Sequence, residues 1–266
     1  MNMFLHELKA YRKSTIVWSI TLAVVVIMFL SMFPAFSSNA EELKKLLESL
    51  PLALRNAIGL SLDSIGSLLG FYSTLPFLYI NLCGAIQAMN LGTSIVSKEV
   101  REKTADFLLT KPVSRVQIMT AKLSAALTSL VITNVIYILV ASIMASVISS
   151  QAFSMNLFLM ISATLFFIQL MFLALGVIVS VVVRKIKSVL PVSLGTVFGF
   201  FFIGMFGSAI GDNNLRYITP FKFYDPAYII KNASYETSFI ILEVGLITLA
   251  IVASYVIYVK KDIDSV

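Results

Sequence analysis

Six apolar runs, at 14–36, 71–96, 117–148, 155–183, 188–210 and 238–259, constrain this chain before any motif does. A spanning helix needs about 20 mostly apolar residues, because backbone N–H and C=O groups in hydrocarbon must be bonded within their own segment. All six runs meet that length. They are continuous rather than alternating and far longer than a barrel strand, which excludes a β-barrel. With 13% charged residues, the chain also departs from the roughly 25% of an average soluble protein. The sequence therefore predicts an all-α integral membrane protein, one transmembrane domain over residues 1–266. The third and fourth runs are long enough to tilt or to extend beyond the lipid.

Basic residues near the ends of the runs set the orientation. With the N-terminus inside, Lys9, Arg12, Lys13, the six lysines and arginines from Lys98 to Lys122, Arg184, Lys185, Lys187, Lys260 and Lys261 all face the cytoplasm. This puts 14 of the 20 lysines and arginines there. Both termini are thus expected in the cytoplasm, and the net charge of +6 reads as topology rather than as a nucleic-acid surface. The first run has the basic flank of a signal peptide, but its apolar core is too long for a typical h-region. The single Cys83 gives no internal disulfide and no redox information.

Ahead of the first span, Phe4, Leu8 and Tyr11 recur at helical spacing opposite Glu7, Lys9 and Lys13. This predicts a short N-terminal interfacial helix that then turns into the membrane. In the external segment 37–70, Ser38 and Glu41 have capping-box spacing, Leu43, Leu46, Leu47 and Leu50 form a stripe, and Pro51 should end that helix. The connection 149–154 reads as a tight external turn and 184–187 as a basic internal one. The second external segment, 211–237, carries aromatics and two prolines and is too long for a simple hairpin, so folded structure is expected.

One cytoplasmic segment stands apart. Residues 97–122 carry nine charges, whereas 71–96 carry none. Val100, Thr104, Phe107 and Leu108 continue one apolar face from Ser97, with Lys98, Glu99, Arg101, Glu102, Lys103 and Asp106 around it, the pattern of an amphipathic helix. Pro112 biases Lys111 out of helical geometry. Ser114 with Gln117 then forms a capping box, and Val113 with Ile118 has the spacing of a hydrophobic staple. Helix, break and helix are encoded within about 25 residues, more order than a solvated loop requires. The plain alternative is an orderly positive-inside loop; the functional reading is a docking surface centred on Phe107 and Leu108.

The run E-V-R-E-K-T-A-D-F-L-L-T-K-P-V-S-R followed by Lys122 resembles the region after the second span in permeases of the ABC-2 type. Glu99, Thr104, Leu108, Leu109, Pro112, Arg115 and Lys122 match; Lys103 and Asp106 depart from the usual glycine and glutamate. Ile218 to Ile230 and the external run I-G-L-S-L-D-S-I-G-S-L-L-G-F-Y are similar to the family's external segments. The resemblance implies a multi-pass permease in a bacterial cell membrane, the transport subunit of an ATP-driven exporter. It implies a coupling region at 97–116, in which Glu99, Arg101, Thr104, Phe107, Leu108, Pro112 and Arg115 meet an ATPase. The chain has no G-x-x-x-x-G-K-[ST] phosphate cradle, so ATP and Mg would be bound by a separate ATPase subunit. Two ATPase copies and a second permease chain, identical or different, are implied. The importer-type E-A-A…G signature is absent, which favours export.

Other classes fare worse. A zinc protease of H-E-x-x-H type needs two histidines, and only His6 is present. Paired intramembrane aspartates are missing. An ion-coupled secondary transporter would hold carboxylates near the midplane, and the only candidate is Glu243, expected to snorkel from the outer end of the last span. A non-transporting membrane anchor is the remaining alternative. Asn81, Gln87, Asn90, Asn134 and Gln169 lie within spans, either as interhelical hydrogen bonds or as the substrate path. Gly195 and Gly199 make a GxxxG that would allow close helix approach. The mostly apolar interior suits peptide, lipid-like or drug-like cargo. Asn232-Ala233-Ser234 fits a glycosylation sequon to which no role is assigned.

Overall fold

The computed structural model describes residues 3–58, 66–102, 113–149, 152–183 and 185–260. Six helices in it are long and apolar enough to cross a membrane. We label the α-helices α1 (Met3–Ser38), α2 (Ala40–Glu48), α3 (Leu52–Ile58), α4 (Leu68–Tyr72), α5 (Leu75–Glu102), α6 (Arg115–Ile148), α7 (Met155–Val182), α8 (Val189–Ile210), α9 (Pro226–Asn232) and α10 (Thr237–Lys260). The spans are α1, α4 with α5, α6, α7, α8 and α10.

The expected interfacial helix is not a separate element. Helix α1 runs unbroken for 36 residues, about 54 Å at 1.5 Å per residue. No glycine or proline interrupts it before Pro34, so nothing stops the helix where the lipid begins. Glu7, Tyr11, Thr15, Ser19, Leu22, Val26, Leu30 and Phe33 then form one buried face at helical spacing. Glu7, expected on the polar side, therefore lies on the buried one.

That face packs on α6 with the two helices parallel. Thr15 meets Ser129 and Ser19 meets Thr133, both at an offset of 114 residues. Helices α5 and α7 form the second parallel pair. A Cβ built on Gly92 would lie 2.4 Å from the Leu173 carbonyl oxygen, and one on Gly176 would lie 2.8 Å from that of Met89. Only glycine lets the two backbones approach so closely, a small-residue contact of the kind that substitutes for hydrophobic drive between helices in lipid. Helices α8 and α10 flank this core and leave most of their surface outward.

The GxxxG of α8 does not act as expected. A Cβ at Gly195 or Gly199 meets nothing within 4 Å, so neither brings another described segment close. Gly204 and Gly207 on the same helix do, against Thr219 and Leu215. The Ser38 capping box is also absent. Helix α1 continues through Ser38, whose Oγ donates to the Ala35 carbonyl at 3.1 Å, and Asn39 precedes α2 with no side-chain cap. Helix α2 does end before Pro51.

The segment 211–237 is folded, as expected. Gly211, at φ +79°, ends α8 in the left-handed conformation that glycine adopts without penalty. Two 3₁₀ turns, Asn213–Tyr217 and Pro220–Lys222, lead into α9. Arg216 ties the segment together: it pairs through both terminal nitrogens with Glu236, donates Nε to the Lys222 carbonyl at 2.8 Å, and sits 4.2 Å from the centre of the Phe239 ring.

Candidate functional site: the joint at the start of α6 and the polar core

The start of α6 is built as the sequence dictates. Ser114 accepts from the Gln117 backbone N–H at 3.2 Å, and Gln117 Oε1 accepts from the Ser114 N–H at 3.0 Å, completing the capping box. One residue on, Arg115 Nη1 donates to the carbonyls of Tyr258 and Val259, each at 3.3 Å. These are among the last carbonyls of α10, which have no partner within their own helix and carry its negative dipole end. Thr120 and Tyr255 add a hydroxyl contact of 2.8 Å between the same two helices. The entry to the third span is thus bound to the exit of the last.

Two turns further along α6, Lys122 donates to Glu7 at 3.0 Å, with side chains 2% and 8% exposed. This pair joins α1 to α6 at the same end of the bundle. A charge taken out of water is held only if it is well paired, so the two helices are committed to each other here. Sequence reasoning matched Lys122 to a motif and missed Glu7. The signal was present: Glu7, Tyr11 and Thr15 share a face at i, i+4 and i+8.

Of the expected coupling residues, Arg115 is placed by these contacts. Glu99 and Arg101 lie on the last turn of α5, which extends to Glu102 as one helix with the second span. Thr104, Phe107, Leu108 and Pro112 lie outside the described residues, as does most of the expected amphipathic helix.

Three of the five span amides form one chain of hydrogen bonds. Gln87 donates to Thr133 Oγ1 at 2.9 Å, Gln169 donates to Gln87 Oε1 at 3.1 Å, and Asn134 donates to Gln169 Oε1 and to the Leu130 carbonyl. All three are buried. Through Thr133 the chain continues to Ser19, so α1, α5, α6 and α7 are linked at mid-membrane. Nearer the start of α5, Tyr72, Tyr137 and Ser162 form a second hydroxyl cluster between core spans. Asn81 is buried elsewhere on α5. Asn90 lies apart from the chain and lines a cavity of about 420 Å³ with Tyr11, Ser14, Leu91, Ser94, Lys187, Ser188 and Val189.

Glu243 does not snorkel. It is 3% exposed, and the Tyr224 hydroxyl donates to its Oε2. The segment 211–237 folds Tyr224 onto the end of the span, which removes the need to reach water. Its Oε1 has no hydrogen-bond partner among the described residues. Burial, reinforced by the Glu243 carboxylate, holds the Tyr224 phenol well above its ordinary range.

A profile described as ABC-2 family transporter protein matches residues 1–263, nearly the whole chain. A search of the curated proteins finds no match.

Proposed function

Because the chain belongs to the ABC-2 family of transporter proteins, we propose that it is the permease subunit of an ATP-driven exporter. It acts as a dimer with two copies of a separate ATPase chain, which bind ATP and Mg, and it lies in a bacterial cytoplasmic membrane with both termini inside. The single observation that best supports this reading is the joint at Arg115. A capped helix start beside residues 97–114 is bonded to the end of α10, so a push on that segment has a direct mechanical route into two spans.

In this mechanism the ATPases close on ATP and displace the segment from Glu99 to Pro112. The start of α6 moves with it and draws the end of α10 through Arg115. The paired core of α1, α5, α6 and α7 is cross-linked at mid-membrane, so it moves as a block. Helices α8 and α10 share fewer contacts with the core and tilt relative to it. Energy input and substrate path are separate in this scheme.

The test is reconstitution with the partner ATPase. Phe107→Ala and Arg115→Ala should each cut transport and substrate-stimulated ATP hydrolysis while membrane insertion is unchanged. Normal transport in both variants would sink the assigned role.

A further inference from the structure

The cavity lined by Asn90 has the chemistry of an anion site. Its wall is made by one face of α1 (Tyr11, Ser14), one face of α5 (Asn90, Ser94) and the residues just before α8 (Lys187, Ser188). Among the described residues no carboxylate lines it. The nearest acidic residue on α1, Glu7, has its charge committed to Lys122. Lys187 and Ser188 are exposed at its rim, and Arg12, Lys13 and Lys185, near the lining residues in sequence, are exposed as well, which adds to the positive field at its mouth.

Two polar groups in this wall are unused by the fold. Asn90 is half-buried and makes no side-chain hydrogen bond to a described residue. Ser188 stands at the N-cap of α8 yet gives no side-chain cap, so the orphan N–H groups of that 22-residue helix start beside the cavity without their usual partner. A positive-inside lysine alone would be topology. An ammonium, an uncommitted amide and an uncapped hydroxyl line one open pocket, and together they offer an anion more than a single charge.

Its depth identifies the occupant. Asn90 lies eight residues before Lys98 on α5, about 12 Å along the helix axis, which with Lys98 at the aqueous edge passes the roughly 5–7 Å headgroup layer and reaches the upper acyl level. Leu91 and Val189 supply apolar wall beside the polar groups. The volume falls in the range of roughly 300–1,000 Å³ typical of small-ligand pockets. We propose that this cavity binds the phosphate headgroup of an acidic lipid of the inner leaflet, with Lys187 and Asn90 as its principal contacts. The placement in the inner leaflet rests on the orientation proposed above, but binding in detergent does not depend on orientation, so the two readings fail separately.

The experiment is native mass spectrometry of the delipidated full chain, titrated with phosphatidylglycerol or phosphatidylcholine and without any ATPase present. Phosphatidylglycerol should bind more tightly, and Lys187→Gln and Asn90→Leu should each weaken it about tenfold, as expected for loss of a contact to a charged group. Lys185→Gln removes the same charge nearby without touching the wall, and should change binding by less than about threefold. Equal loss from Lys185→Gln and Lys187→Gln, with none from Asn90→Leu, would reduce the effect to surface attraction and overturn the site. If glycerol phosphate competes as well as the whole lipid, the occupant is a soluble phosphate and the lipid assignment is wrong.

Discussion

Glu7 and Lys122, 115 residues apart in sequence, form a buried ion pair of 3.0 Å between the first and third spans. Removing either partner leaves a charge in a nearly dry site, at a cost of about 3–5 kcal/mol. Lys122→Ala or Glu7→Ala should therefore lower the unfolding temperature in detergent markedly. The double variant Glu7→Leu/Lys122→Met should recover most of that loss, because apolar residues of similar volume carry no desolvation penalty. A double variant as unstable as the singles would show that the pair is not the source.

The α5/α7 contact depends on glycine at two positions. Gly92→Ala forces a methyl group to within 2.4 Å of a carbonyl oxygen, and overpacking of this kind costs about 1–3 kcal/mol or more. Gly195→Ala meets open space and should leave the isolated chain unchanged or slightly more stable. Thermal unfolding of the two variants side by side checks the contrast.

For the amide chain, Gln87→Leu should cost about 1 kcal/mol, the usual size of an interhelical hydrogen bond in lipid. Asn134→Leu should behave alike, and the two should be non-additive because both act through Gln169. Strict additivity in a double-mutant cycle would contradict the coupling. Transport measured in the same variants then separates a structural role from a place on the substrate path: unchanged transport removes these amides from the path.

In the segment 211–237, Arg216→Lys retains the charge but loses the two-nitrogen grip on Glu236 and the stacking on Phe239, contacts a lysine does not reproduce. Limited proteolysis should cut between residues 211 and 237 faster in this variant. Wild-type resistance would show that the segment is held by its aromatic packing alone.

Local signals in the sequence carried far. Span lengths, the Ser114 start of α6 and the stop before Pro51 each depend on residues within one or two turns, where backbone chemistry decides. What escaped depends on partners distant in sequence. Glu7 reads as one of several charges in a basic flank until Lys122 is seen opposite it. Gly92 and Gly176 form no GxxxG because the two lie on different helices, and Gly84 on α5 is eight residues from Gly92, whereas Gly195 and Gly199 have the spacing and no neighbour among the described residues. Glu243 looked free to snorkel because nothing local shows Tyr224 folding back onto it. Ser38 looked like a start signal because the sequence does not reveal that α1 runs on through it.

The central claim, that this permease works with a separate ATPase through residues 97–116, is tested most directly by purifying the tagged chain from its native membrane in mild detergent and identifying what comes with it. A protein carrying a G-x-x-x-x-G-K-[ST] motif should come with it at near-equal amount and be lost when Phe107 and Arg115 are both replaced by alanine. A chain that arrives alone, and transports in vesicles on an ion gradient without ATP, would contradict that claim.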